Sequence, residues 1–240
     1  MTILAYHSVS TRKHPLAVAP DEFARQLDRL AKCRLLSLRE YARRVSNGVS
    51  TRNCIALTFD DGYRDFAEVV VPMLSERRYP ATTFVAPGLV GGSLEVDDAG
   101  TGVDRRWVLM DWNEIRAVSA AGMEVASHSM THCDLTRTGD SELKDEVAVS
   151  KQALEDRLGE TVDGFCYPAG WYDERVVHAV EDAGYRWAVV TPRTGGRPHG
   201  EFTLPRVGIY HHDDARRFRL KLTRTGRVLG RGRRLFRNHQ

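Results

Sequence analysis

Short apolar runs alternate with segments whose apolar positions recur every three or four residues, almost from one end of the chain to the other. Ile3 to Tyr6, Arg34 to Leu38, Ile55 to Phe59, Thr82 to Ala86, Met123 to Ser127, Gly164 to Tyr167, Trp187 to Val190 and Pro205 to Ile209 are runs of strand type. Between them lie helical stripes. Pro20-Asp21 opens a helix with Phe23, Leu27 and Leu30 on one face. Phe66, Val69, Val70, Met73 and Leu74 form a second stripe. Trp112 to Ala121 is a third helix, stopped by Gly122. Ser141 to Leu158 carries Leu143, Val147, Ala148, Leu154 and Leu158 near one face, and Asp173 to Ala183 supplies another helix. Strand–helix alternation predicts a parallel sheet covered by helices. Seven or eight such units predict a (β/α)7-8 barrel. The connection from Gly88 to about Val108, with Gly91-Gly92, Asp97-Asp98 and Gly100-Thr101-Gly102, is long for a compact domain and is expected to be functional or unstructured.

Composition narrows this picture. A chain of 240 residues suits one α/β domain, and it contains no apolar run long enough to span a bilayer. The N-terminus is short, uncharged and strand-like, so a cytoplasmic protein is expected. None of the four cysteines (Cys33, Cys54, Cys133 and Cys166) forms a CxxC pair, which argues against a disulfide framework. Cys54 and Cys166 fall in apolar runs and read as small buried hydrophobes. Cys133, next to His132, is a conceivable thiolate ligand.

Charge is uneven. From Ala215 onward there are ten Lys/Arg and no Asp/Glu, leaving 25 basic and 32 acidic residues before it. The expected organisation is therefore a barrel over 1–214 and a basic tail over 215–240. The tail reads either as a solvated appendage or as a segment drawn to an anionic membrane, including its cytoplasmic face, or to an anionic polymer. Nucleic acid is not expected, because no binding motif accompanies the charge.

Parallel barrels place their chemistry at the C-terminal ends of their strands. Five polar groups fall there: His7, Asp60-Asp61, His128, the Pro168-Ala169-Gly170 turn, and His211-His212. Adjacent carboxylates repel unless a cation relieves them. His128 and His132 stand four apart, the spacing that puts two imidazoles on one face of a helical turn. With Asp61 they make a three-ligand site of catalytic type, open to water, for which zinc is the first choice and cobalt, nickel or manganese also fit. Asp60 then stays free beside the ion. Trp171 and Tyr172, like Trp112, read either as an aromatic wall for a sugar or as structural aromatics.

Thr58-Phe59-Asp60-Asp61-Gly62, then Ser127-His128-Ser129-Met130-Thr131-His132, then Phe165-Cys166-Tyr167-Pro168-Ala169-Gly170 resemble the successive motifs of the polysaccharide deacetylases, carbohydrate esterase family four. The resemblance runs from about Ile3 to Ile209. It implies a distorted barrel of about seven units and metal-dependent removal of acetyl from an N-acetylated sugar, although some relatives remove formyl or open cyclic amides. It implies Asp60 as catalytic base, and Asp61, His128 and His132 as metal ligands. It also implies an oxyanion-binding backbone at Ala169, with Tyr167 and Trp171 nearby for substrate. Many members carry an arginine where Cys166 stands, which pairs with the base, and a tyrosine where Ala169 stands; Arg206 is the candidate replacement for that arginine. The FxYPxG form, with Tyr6-His7-Ser8-Val9 at the start, is similar to a particular subgroup. The general acid is expected to be His7, with His211 and His212 as alternatives. Two rival readings remain open at this point: a deformylase or deacetylase of a lipid-linked or small amino sugar, and a non-catalytic carbohydrate-binding relative.

Overall fold

The structure is a computed structural model describing residues 2–96, 106–191 and 200–223. In chain order the strands are β1 (Thr2–Tyr6), β2 (Ser8–Val9), β3 (Ala17–Val18), β4 (Arg34–Leu35), β5 (Cys54–Phe59), β6 (Thr82–Val85), β7 (Ser93–Glu95), β8 (Arg106–Val108), β9 (Glu124–Ser127), β10 (Gly164–Cys166), β11 (Trp187–Val190) and β12 (Leu204–Gly208). The helices are α1 (Pro20–Arg29), α2 (Leu38–Ser46), α3 (Val71–Arg77), α4 (Trp112–Ala120), α5 (Asp140–Lys144), α6 (Ser150–Leu158), α7 (Glu174–Asp182) and α8 (Ala215–Leu222). The parallel order β1-β12-β11-β10-β9-β6-β5 closes through β1–β5 pairing from Thr2↔Ile55 to Tyr6↔Phe59, giving a seven-stranded barrel. The eighth strand of that sheet, β4, pairs only with the first residues of β5, while β6 pairs with its last.

Alternation along each strand divides the core in two. Ile3, Ala56, Phe84, Ala126, Cys166, Val189 and Leu204, one from each barrel strand, pack together in the lumen with Trp187. Their neighbours Leu4, Leu57, Val85, Val125, Phe165, Ala188 and Val190 belong to the larger cluster shared with the helices. Both faces being covered explains why the strands read as unbroken apolar runs. A Cβ on Gly164 would lie 1.9 Å from the Trp187 ring, so the indole fills the lumen only because position 164 has no side chain.

Several sequence expectations change. The run Arg34 to Leu38 is a two-residue strand followed by the unforeseen α2, which Ser37 caps by accepting from Glu40 N–H. The helix expected over Ser141 to Leu158 is broken by a π-helical turn, Asp145–Val149. The extra residue in that turn rotates the stripe, so Ala148 is exposed and Glu146 is buried. The long connection contains the antiparallel pair β7–β8; Asp97-Asp98 and Gly100-Thr101-Gly102 lie outside the described residues. At the C-terminus the basic segment begins as α8, whose Phe218 is buried in the main cluster. The chain therefore packs onto the barrel for eight residues past the boundary drawn at 214; residues 224–240 lie outside the described ones. No helix among the described residues is long and apolar enough to cross a membrane.

Candidate active site

The lumen-facing set continues past the apolar layer into polar chemistry. Counting by twos from Cys54 and Ala56 leads to Thr58 and Asp60; Ala126 leads to His128, Leu204 to Arg206, and Ile3 by way of Ala5 to His7. These side chains meet at the C-terminal mouth. Arg206 Nη1 donates to Asp60 Oδ1 at 2.6 Å and Nη2 to Asp60 Oδ2 at 2.7 Å, both groups buried. Nη1 also donates to Thr58 Oγ1 at 3.1 Å, Nη2 lies 3.1 Å from Cys166 Sγ, and the guanidinium sits 5.4 Å from the Phe84 ring centre. This fork fixes the carboxylate in position and in charge. Burial pushes the Asp60 carboxyl up, but Arg206 outweighs it and holds the group below the usual carboxylate range. His7 Nε2 stands 3.8 Å from Asp60 Oδ2. Burial pulls the His7 imidazole below its ordinary value, against the opposing pull of Asp60 and Asp61.

Asp61 leaves the strand on the wrong parity and is returned to the mouth by its backbone. Its φ is 70°, and Gly62 follows at 69°. Asp61 Oδ1 lies 3.4 Å from His128 Nε2 and 3.2 Å from His132 Nε2. A tetrahedral site with bonds of about 2.0–2.1 Å has edges of about 3.3–3.4 Å, so these separations fit one small divalent ion. The donor state fits too. His128 Nδ1 is 2.8 Å from the Cys166 carbonyl, which assigns its proton to Nδ1 and leaves the Nε2 lone pair facing Asp61. His132 is partly open to solvent, which leaves an approach to the group.

The two imidazoles are not brought together by a helical turn. Residues 128–132 form a loop in which Ser129 and His132 adopt φ of 62° and 61°. Non-glycine residues held there are costly and need surrounding support. Glu146, delivered by the π-helical turn, supplies it: its carboxylate accepts from Met130 N–H at 3.0 Å, Thr131 N–H at 2.9 Å and Thr131 Oγ1 at 2.6 Å. From the other side Gly88 N–H donates to Met130 O at 2.9 Å, where any Cβ at 88 would clash at 2.8 Å. Glu146→Gln keeps the shape but weakens these bonds. Zinc affinity, read by competition with a chromogenic chelator, is expected to fall about 10–100-fold.

Of the remaining sequence candidates, Ala169 is at the mouth with φ 53°, followed by Gly170 at 73°, where a Cβ would sit 2.5 Å from Thr191 O. Trp171 is 43% exposed and presents an open ring. Tyr167, expected at the substrate, is instead turned toward the helices: it is 1% exposed, stacks on Tyr172 and donates to Phe202 O at 2.9 Å. Trp112 lies beneath the Arg157 guanidinium, 5.3 Å from its ring centre, and is not a mouth residue. His211 meets His212 edge to face, His212 stacks on Tyr210, and His211 N–H donates to Pro15 O, outside the cluster. Cys133 is not a member of the possible ligand triads; its thiol faces Thr131 and Glu146. Sequence reasoning missed Tyr63, whose phenol bonds Asp61 and is pushed up first by burial, and Glu146, which reads as an ordinary exposed helix acid.

A parallel seven-stranded barrel with an Arg-held carboxylate and an Asp-His-His triad at one mouth is the architecture of a hydrolytic barrel enzyme. The sequence profile of the polysaccharide deacetylase family matches residues 47–188, and the chain belongs to that family. The chitooligosaccharide deacetylase of Bradyrhizobium sp. (strain ANU 289) is 32% identical over 161 residues, covering 65% of this chain and 65% of that protein. YxkH of Bacillus subtilis (strain 168) is 25% identical over 213 residues, covering 87% of this chain and 71% of its own length. Among solved structures, the Streptococcus pyogenes deacetylase PplD in complex with acetate superposes with a TM-score of 0.75 at 24% identity, covering 89% of this chain and 94% of that one. That likeness concerns the fold.

Proposed function

We propose that the protein hydrolyses the acetamido group of an N-acetylated amino sugar in a carbohydrate. The observation that carries this reading is the placement of the Asp60–Arg206 pair directly beside the Asp61, His128 and His132 donors in a barrel of this family. Zinc is the ion that the nitrogen and oxygen donors suit, and when bound it supplies Lewis acidity toward the acyl oxygen and the attacking water. Asp60, ionised and held by Arg206, accepts the proton of that water. The main chain at Ala169 is the donor we assign to the developing oxyanion. His7, within 4 Å of Asp60, protonates the departing amine. Trp171 offers its exposed face to a sugar ring.

The test is acetate release from N-acetylated chitooligosaccharides by the full chain. Release is expected, lost with a chelator and restored by zinc. Formate release from N-formyl sugars in its place would move the substrate class, and binding without release at full metal content would make the protein a carbohydrate-binding relative. The charge of the tail supports a further reading, a substrate linked to an anionic membrane. Because Phe218 is buried, the relevant truncation falls after Thr223, removing six arginines. Co-sedimentation with phosphatidylserine liposomes is expected to drop to background in that variant, and unchanged co-sedimentation excludes the reading.

A further inference from the structure

Hydrogen bonds to the loop after β5 bracket His7 on both sides. Before it, Asp60 N–H donates to Tyr6 O at 3.0 Å. After it, Ser8 Oγ donates to Asp65 Oδ2 at 2.5 Å and Val9 N–H donates to Asp65 Oδ1 at 3.3 Å. Ser8 and Val9 are both fully buried. Ser10 Oγ lies 2.8 Å from Ser8 Oγ, and since the Ser8 proton goes to Asp65, the Ser10 hydroxyl donates there. The β2–β3 pair is a separate two-stranded sheet, outside the hydrogen-bonded order of the barrel. Asp65 ties it to the strand that delivers Asp60 and Asp61.

Asp65 has a more local task that it does not perform. It directly precedes the helical turn Phe66–Val70, a place where an aspartate commonly caps free N–H groups, yet its side chain makes no capping bond. The carboxylate turns across to β2 instead. Burial pushes its carboxyl above the ordinary range, and the bonds from Ser8 and Val9, with the charge of Arg12, oppose that push. An ionised acceptor makes the stronger bond to both donors.

The His7 ring lacks an anchor of its own. Nδ1 is buried without a hydrogen-bond partner among the described residues, and Nε2, 3.8 Å from Asp60 Oδ2, is beyond hydrogen-bond reach of it. The main chain on either side therefore sets where the ring points. We infer that Asp65 is a positioning residue for His7: its carboxylate holds Ser8 and Val9, and through them keeps the imidazole beside Asp60, where it meets the departing amine. The inference rests on the deacetylase reading. It adds that one loop, 60–65, supplies the base, a metal ligand and the support of the acid.

The experiment is a double-variant cycle on the zinc-loaded full chain. It measures kcat and KM for acetate release from an N-acetylated chitooligosaccharide by wild type, Asp65→Ala, His7→Gln and Asp65→Ala/His7→Gln. Asp65→Ala is expected to lower kcat about 10–100-fold with KM unchanged, the cost of displacing a catalytic group by about 1 Å. In the His7→Gln background the same substitution is expected to cost nothing further. Asp65→Asn, whose amide still accepts from Val9 N–H and bonds Ser8, is expected to keep most of the turnover. Should Asp65→Ala fail to fold, Ser8→Ala takes its place in the cycle, with a smaller loss that is again absent beside His7→Gln. Equal losses in the two backgrounds, or full turnover in His7→Gln, overturn the inference and leave the deacetylase reading intact. Wild type that releases no acetate fails the deacetylase reading, and a crystal structure of Asp65→Ala then decides. A His7 ring moved away from Asp60 keeps the positioning role, and a ring still in place overturns it.

Discussion

Asp60→Asn lowers turnover by about 10²–10⁴-fold while zinc content stays at the wild-type level. The amide keeps the size of the side chain but cannot accept the water proton; Asp60 stands outside the Asp61–His128–His132 triad, and although it could also group with His128 and Cys166, both its oxygens are held by Arg206. Acetate release together with metal analysis of the same sample checks both halves. Full turnover in Asp60→Asn removes Asp60 from the reaction. The pH profile adds a signed expectation. Asp60 is held below the usual carboxylate range, so the base form is present throughout the neutral region and loss of the base is confined to acid. His7 is held below the ordinary imidazole value, so a proton it donates becomes scarce as pH rises through that lowered value. The rate is therefore expected to decline on the alkaline side, and His7→Gln is expected to flatten that limb; an unchanged limb in His7→Gln assigns the acid elsewhere.

Arg206→Ala loses both activity and fold stability, the latter by about 3–5 kcal/mol, because a buried carboxylate is left without its partner. Stability alone would not separate the two roles. The double variant Asp60→Asn/Arg206→Met does: it replaces the pair with a neutral, similar-volume arrangement. It is expected to regain most of the lost stability in urea unfolding while remaining inactive. Arg206→Lys keeps one charge but not the fork, and is expected to fall between wild type and Arg206→Ala in both measures. If Arg206→Ala unfolds at the wild-type urea midpoint, the pair is not holding the mouth together.

What could be read from the sequence divides along physical lines. Barrel class, the main strand positions and the meeting of Asp60 with His128 are encoded by alternation along the chain, which one sequence displays; Asp61, on the opposite parity, joins them only through its left-handed backbone. The same alternation, applied to Tyr167, places it with Phe165 toward the helices rather than with Cys166 in the lumen. Three features do not show in periodicity. Ser129 and His132 reach their places through left-handed backbone that non-glycine residues rarely advertise. Glu146 is turned inward by a π-helical turn that shifts the register of an otherwise regular stripe. His211 and His212 share the correct end of the barrel with the site, yet lie beyond β12 and point to a neighbouring loop, a distinction of direction that position along the chain does not contain.

The short side chain at Cys166 has an implication for how relatives are compared. With sulfur 3.1 Å from the guanidinium that β12 sends across the lumen, the two places share one volume. An arginine planted at 166 in this chain would run into the guanidinium of Arg206, so here the cation that holds Asp60 comes from β12. Scored column by column, position 166 lacks the arginine that the family resemblance implies; in space, Arg206 forms the pair with Asp60 from another strand.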